Sequence, residues 1–101
     1  MRVLEFKPLR DFWLKHPDAE QPLKVWFDLA TQAQWRQPAD IKAQIGNASI
    51  LKNRRVVFNI KGNDYRLVVG VAYNTNLLFV KFIGTHMAYD AIDAETVEPE
   101  W

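Results

Sequence analysis

The sequence predicts an α+β fold: an N-terminal strand and a two-helix hairpin packed on one face of a small antiparallel sheet, closed by a short C-terminal helical turn. Three observations predict it. Apolar residues recur at helical spacing in the first third of the chain, alternation takes over from residue 54, and polar turns punctuate the alternating half. The 101 residues carry a formal net charge of +1 and are 49% apolar, which fits a single domain spanning 1–101 whose apolar residues mostly serve packing.

Residues 1–7 alternate well enough for a strand, with Val3, Glu5 and Lys7 set against Leu4 and Phe6, and Pro8 ends it. Leu9, Phe12 and Trp13 then fall at i, i+3 and i+4, and the helix they define should stop at His16-Pro17, because the residue before proline is disfavoured in helical geometry. His16, at that helix end, reads as a partner of the helix dipole rather than a catalyst. Asp18 is placed to cap the next helix, where Leu23, Trp26, Phe27 and Ala30 share a face and Pro22 is tolerated in the first turn. A connection with a short helical turn at 40–44 crosses to the sheet. Strands are expected at 54–60, 65–73 and 77–83, joined by the turns Lys61-Gly62-Asn63-Asp64 and Asn74-Thr75-Asn76 into an antiparallel meander.

Alternation sorts the side chains of these strands. Val56, Phe58, Ile60, Tyr65, Leu67, Val69, Val71, Tyr73, Leu78, Val80 and Phe82 suit the core under the helices, which sends Arg55, Asn59, Lys61, Arg66, Lys81 and Ile83 to the other face. Arg66 would sit beside the small residues Gly70 and Ala72. The cations Arg55, Lys61, Arg66 and Lys81 then gather with no carboxylate among the strand positions, while acidic residues concentrate near the chain end. Charged residues on a solvated sheet face are ordinary, but this segregation points to an anionic ligand.

Gly84-Thr85-His86-Met87-Ala88-Tyr89-Asp90 is the stretch most suited to chemistry. If Thr85 caps a helical turn, His86, Tyr89 and Asp90 fall at i, i+3 and i+4, on one side. A carboxylate beside a histidine fixes its tautomer, which prepares a general acid or base; the same spacing also suits a surface histidine and a tyrosine packed near the chain end. With two histidines and no cysteine, a thiolate zinc site, a cysteine nucleophile and a dedicated metal site are not expected, nor is any cofactor. GxSxG, P-loop and GxGxxG motifs are absent. Charge interrupts the N-terminus too early for a secretory signal and no apolar run is long enough to span a bilayer, so a cytoplasmic location without membrane contact is expected. Cations beside an acid/base pair suit metal-free RNA cleavage, in which the substrate's own 2′-hydroxyl is the nucleophile.

The stretches Phe58-Asn59-Ile60-Lys61-Gly62-Asn63-Asp64-Tyr65-Arg66-Leu67-Val68-Val69 and Phe82-Ile83-Gly84-Thr85-His86-Met87-Ala88-Tyr89-Asp90-Ala91-Ile92-Asp93 resemble the HigB toxins of the RelE-like superfamily. The resemblance covers the second half of the chain closely and the helical hairpin in pattern. It implies a ribosome-dependent mRNA endonuclease (an mRNA interferase) of a type II toxin-antitoxin pair, with mRNA on the ribosome as substrate and a HigA-like helix-turn-helix antitoxin as partner. Carried over by residue, it implies catalytic roles for Arg66, His86, Tyr89 and Lys61 and RNA contacts for Asn59, Asn63 and Asp90, beside Arg55 and Lys81 on the same face. Two other readings stay open on the residues alone. One is a non-catalytic RNA-binding or partner-binding module using the cationic face; the other is an interaction protein docking through an exposed Trp35 or Trp101.

Overall fold

A computed structural model describes residues 1–101. The elements run β1 (Arg2–Leu4), α1 (Lys7–Lys15), one 3-10 turn (Pro17–Ala19), α2 (Glu20–Gln32), α3 (Pro38–Gln44), β2 (Ser49–Ile50), β3 (Arg55–Ile60), β4 (Tyr65–Ala72), β5 (Leu77–Thr85) and α4 (His86–Asp90). The strands form one sheet in the order β1-β5-β4-β3-β2. β3, β4 and β5 are the expected meander, but the sheet is mixed, because β1 pairs parallel with β5 at its edge. β1 is also shorter than the alternation of residues 1–7 suggests. Glu5, at φ +70°, turns the chain out of the sheet and into α1, whose first turn takes Pro8.

α1 buries Leu9 and Trp13 and ends at His16, before Pro17, as the sequence requires. His16 stacks on Phe12 with ring centroids 4.4 Å apart. α2 buries Leu23, Trp26 and Ala30, but Asp18 does not cap it: Ala19 occupies that position, and Asp18 lies within the 3-10 turn with its carboxylate directed at the sheet. Trp35, expected as an exposed docking residue, is 1% exposed; it stacks on Phe58 and its indole Nε1–H donates to Gln44 Oε1 at 2.9 Å.

The main core lies between the helices and one sheet face, where Leu9, Leu23, Ile41, Val56, Phe58, Leu67, Val69, Leu78 and Val80 interlock. At about 1.5–3 kcal/mol for each fully buried side chain of this size, that layer dominates the favourable side of folding. The expected sorting holds on β3 and β4 and fails on β5 beyond Val80. There the register runs Val69↔Val80 and then Val68↔Phe82, so Lys81 is an extra, bulged residue. The bulge exchanges the faces that follow: Ile83 packs against the main core, and Phe82 joins Val57, Val68 and Ala94 on the opposite side.

That opposite face is not open. After α4 the chain folds back across it, laying Ala94 on Val57 and Val68, with Ile92, Val97, Phe82 and Tyr89 packed around them. No helix is long and apolar enough to cross a membrane.

Candidate active site

The turn joining β3 to β4 builds the site. Lys61 and Gly62 both adopt left-handed geometry, at φ +52° and +62°, the second position being one where a residue without Cβ is favoured. The turn is closed by Asp64 N–H donating to the Lys61 carbonyl at 3.1 Å, and the carbonyls that follow become anchors. Arg66 Nη1 donates to the Asn63 carbonyl at 3.0 Å and to the Tyr65 carbonyl at 3.2 Å. His86 N–H donates to the Asp64 carbonyl at 3.0 Å, so the start of α4 is tied to the same turn.

α4 has only five residues, too few to stand on its own hydrogen bonds. The expected cap secures it: Thr85 Oγ1 accepts from Ala88 N–H at 3.1 Å. Gly84 permits the close approach beneath, since a Cβ there would stand 2.5 Å from Phe82 Cζ. With α4 fixed, His86 Nδ1 lies 3.2 Å from Asp90 Oδ2, both side chains being about half exposed. The carboxylate favours the proton on Nδ1 and leaves Nε2 as a proton acceptor. The Tyr89 ring lies 6.0 Å from Arg66 Cζ and 6.5 Å from the Phe82 ring, so its aromatic face meets the guanidinium. No three of the His, Asp and Glu side chains converge closely enough to hold a metal ion.

The expected carboxylate-free cationic face is partitioned instead. Arg55 is 6% exposed; its Nη1 donates to the Val97 carbonyl at 2.5 Å and its Nη2 to Glu98 Oε1 at 2.5 Å. Lys81 Nζ reaches the other oxygen of Glu98 at 3.0 Å, and this ammonium, followed by Arg55, holds the Glu98 carboxyl below its ordinary range. Lys61 Nζ sits 2.7 Å from Asp18 Oδ2 and 3.4 Å from Asp64 Oδ2. The hydrogen bond to Asp18 raises the Lys61 ammonium above its ordinary value, and the bonds from Lys61 and the Tyr65 hydroxyl lower Asp18 below its own. Of the four cations Arg66 alone is bonded only to carbonyl oxygens, leaving its charge uncompensated. Nor does Arg66 lie over Gly70: the Lys81 stem occupies that place, with Cε 3.2 Å from where a Gly70 Cβ would stand. Asn59 is half-buried opposite Arg66 in the register, and Asn63 is exposed in the turn.

Residues 19–92 match the family model HigB_toxin, described as the RelE-like toxic component of a toxin-antitoxin system. The chain belongs to the HigB toxin family. It is 25% identical over 96 residues to the mRNA interferase toxin HigB of Escherichia coli K12, covering 93% of this chain and 92% of that protein. The proteins named mRNA interferase HigB from Escherichia coli O157:H7 and Shigella flexneri match at the same identity and coverage. The span matched by the HigB family model contains the whole turn-and-α4 constellation, from Asn59 to Asp90, and leaves Asp18 and Glu98 just outside its two ends. Those two carboxylates are what sequence reasoning missed. The acidic chain end was visible, but its pairing with Arg55, 43 positions away, was not.

Proposed function

We propose that the chain is a ribosome-dependent mRNA endonuclease, the toxin of a type II toxin-antitoxin pair, acting as one domain in the cytoplasm and silenced by a HigA-like helix-turn-helix antitoxin. The observation that carries the reading is the set formed around one turn: an uncompensated Arg66, an oriented His86–Asp90 pair and a tyrosine over the guanidinium. His86 Nε2 takes the proton of a substrate 2′-hydroxyl. The 2′-oxygen then attacks phosphorus, the bond from phosphorus to the 5′-oxygen breaks, and the Tyr89 hydroxyl gives that oxygen its proton. The products are a 2′,3′-cyclic phosphate and a free 5′-hydroxyl.

Arg66 stabilises the charge that develops on the phosphorane, a planar two-donor role that lysine copies poorly. Lys61 assists by exchanging a carboxylate partner for phosphate, so its contribution is smaller than that of Arg66. Asn59 and Asn63 supply polar contacts beside the scissile group. Arg55 acts through the fold, because its guanidinium is committed to the chain end. A purely binding module would have no use for an oriented His86–Asp90 pair.

The test is cleavage of mRNA in programmed ribosomes carrying a single 2′-deoxynucleotide at the cut position. Cleavage should vanish at that position alone, and wild-type product should end in a cyclic phosphate. Cleavage of the deoxy substrate at the wild-type rate would refute attack by the 2′-hydroxyl.

A further inference from the structure

The chain end that crosses the sheet over Val57 and Val68 divides the face in two. On one side lies the candidate active site. On the other is a groove of about 400 Å³, floored by Gly70 and Phe79, walled by Asn53, Arg54 and Lys81, with Arg55 beneath.

Its cations are presented by rigid features. Asn53 and Arg54 are consecutive left-handed residues, at φ +61° and +56°, in the β2–β3 turn, a conformation that costs an L side chain something at each position. That turn is closed by Arg55 N–H donating to the Lys52 carbonyl at 3.2 Å and is held to the chain end by Asn53 Nδ2 donating to the Glu95 carbonyl at 3.0 Å. Arg54 is exposed and forms none of the ion pairs in the molecule. Lys81 is thrown onto this face by the β5 bulge, its stem resting on Gly70 and its Nζ 5.7 Å from the centre of the half-buried Phe79 ring. Two carboxylates reach the groove from the chain end: Glu98 bridges Arg55 Nη2 at 2.5 Å and Lys81 Nζ at 3.0 Å, while Glu95 Oε2 is taken by the Lys52 backbone N–H at 3.2 Å.

A carboxylate shared between a guanidinium and an ammonium occupies the position a phosphodiester would take. Cations around an aromatic floor are the composition that holds an RNA strand, phosphates on the charges and a base on the ring. We propose that this groove is a second RNA-backbone site, separate from the cleavage site, and that Glu98 is its built-in competitor. The inference rests on the RNA-cleaving reading above and adds to it a residue, Arg54, a location and a device that weakens binding until RNA displaces it. Gly70 lies four residues along β4 from Arg66, about 13 Å, near enough for both sites to serve one extended strand.

The experiment measures binding of a fluorescein-labelled, fully 2′-O-methylated single-stranded RNA, which cannot be cut, and of purified ribosomes, across a salt series. Arg54→Ala is expected to weaken binding about threefold or more and to lower the salt slope for the single strand by about 0.7, the signature of one lost phosphate contact. Glu98→Gln should tighten binding about threefold by the same logic. An effect on the free strand assigns the groove to the substrate strand, whereas an effect on ribosomes alone assigns it to ribosomal RNA; both support the site. Unchanged affinity and slope in Arg54→Ala, on a chain whose circular dichroism is intact, overturns it. Arg54→Ala that weakens only the antitoxin complex also overturns it, because the groove then takes an acidic protein segment. Arg66→Ala keeps the two readings distinguishable: if it loses RNA affinity while the groove variants do not, the groove proposal alone fails.

Discussion

Replacing Arg55 with alanine should unfasten the chain end. Its stem is buried at 6% exposure, and losing the two covered methylenes beyond Cβ costs about 1.6 kcal/mol at about 0.8 per group. The 2.5 Å bond from Nη1 to the Val97 carbonyl adds about 1.5–3 kcal/mol, as a hydrogen bond from a charged donor. Rotamer freedom regained by deleting the side chain offsets about 2 kcal/mol. The exposed Glu98 carboxylate is credited with nothing, since water screens it at 61% exposure. The net loss is about 1–2.5 kcal/mol, which for a domain of this size lowers Tm by about 5–15 °C. Thermal unfolding followed by far-ultraviolet circular dichroism checks the figure, and limited proteolysis should cut first after Ala91. Arg55→Met, which keeps most of the apolar stem, should recover about half the loss. A Tm within about 3 °C of wild type for Arg55→Ala would refute the reasoning, because the chain end would then be held by its apolar contacts alone.

Other outcomes follow from the site. Thr85→Val should cost about 1 kcal/mol and fray α4, lowering the cleavage rate more than the overall stability, as read by parallel cleavage and unfolding measurements. Arg66→Ala should abolish growth arrest on induction while leaving Tm nearly unchanged, because its guanidinium bonds only exposed or half-exposed carbonyls; retained arrest would remove Arg66 from the mechanism. The Asp18–Lys61–Tyr65 cluster sets a pH window. Asp18 is lowered from 3.8, so the stability it contributes is present above that value and lost as pH falls through the folded one. Lys61 and Tyr65 are raised from 10.5 and 10.0, so their contribution is complete below those values and lost as pH rises through the folded ones. Asp18→Asn should flatten both limbs in unfolding measurements across pH, and unchanged limbs would count against the cluster.

The elements that could be read from the chain are those whose signal is local. The turn at 61–64, the alternation of Val56, Phe58 and Ile60 against Leu67 and Val69, and the Thr85 cap each depend on residues a few positions apart. What escaped depends on contacts far apart in sequence. Counting by twos carries straight through the bulge at Lys81 and so exchanges Phe82 with Ile83, since nothing in Phe79-Val80-Lys81-Phe82 announces an extra residue. Asp18 beside a proline reads as a cap, yet its carboxylate is taken by Lys61 and Tyr65 from the sheet. The parallel pairing of β1 joins the two ends of the fold and has no local mark. In the candidate site, His86, Tyr89, Asp90 and Arg66 were readable because one turn and one cap gather them, whereas the neutralisation of Arg55, Lys61 and Lys81 was not.

Single-turnover cleavage of mRNA in programmed ribosomes by His86→Gln, with ribosome binding measured in parallel, tests the central claim most directly. Glutamine keeps a hydrogen-bonding side chain at the exposed start of α4 but cannot take up a proton, so the cleavage rate should fall about 10²-fold or more while binding hardly changes. Cleavage at the wild-type rate would contradict the account, leaving His86 with no part in proton transfer and the molecule as a cationic RNA binder.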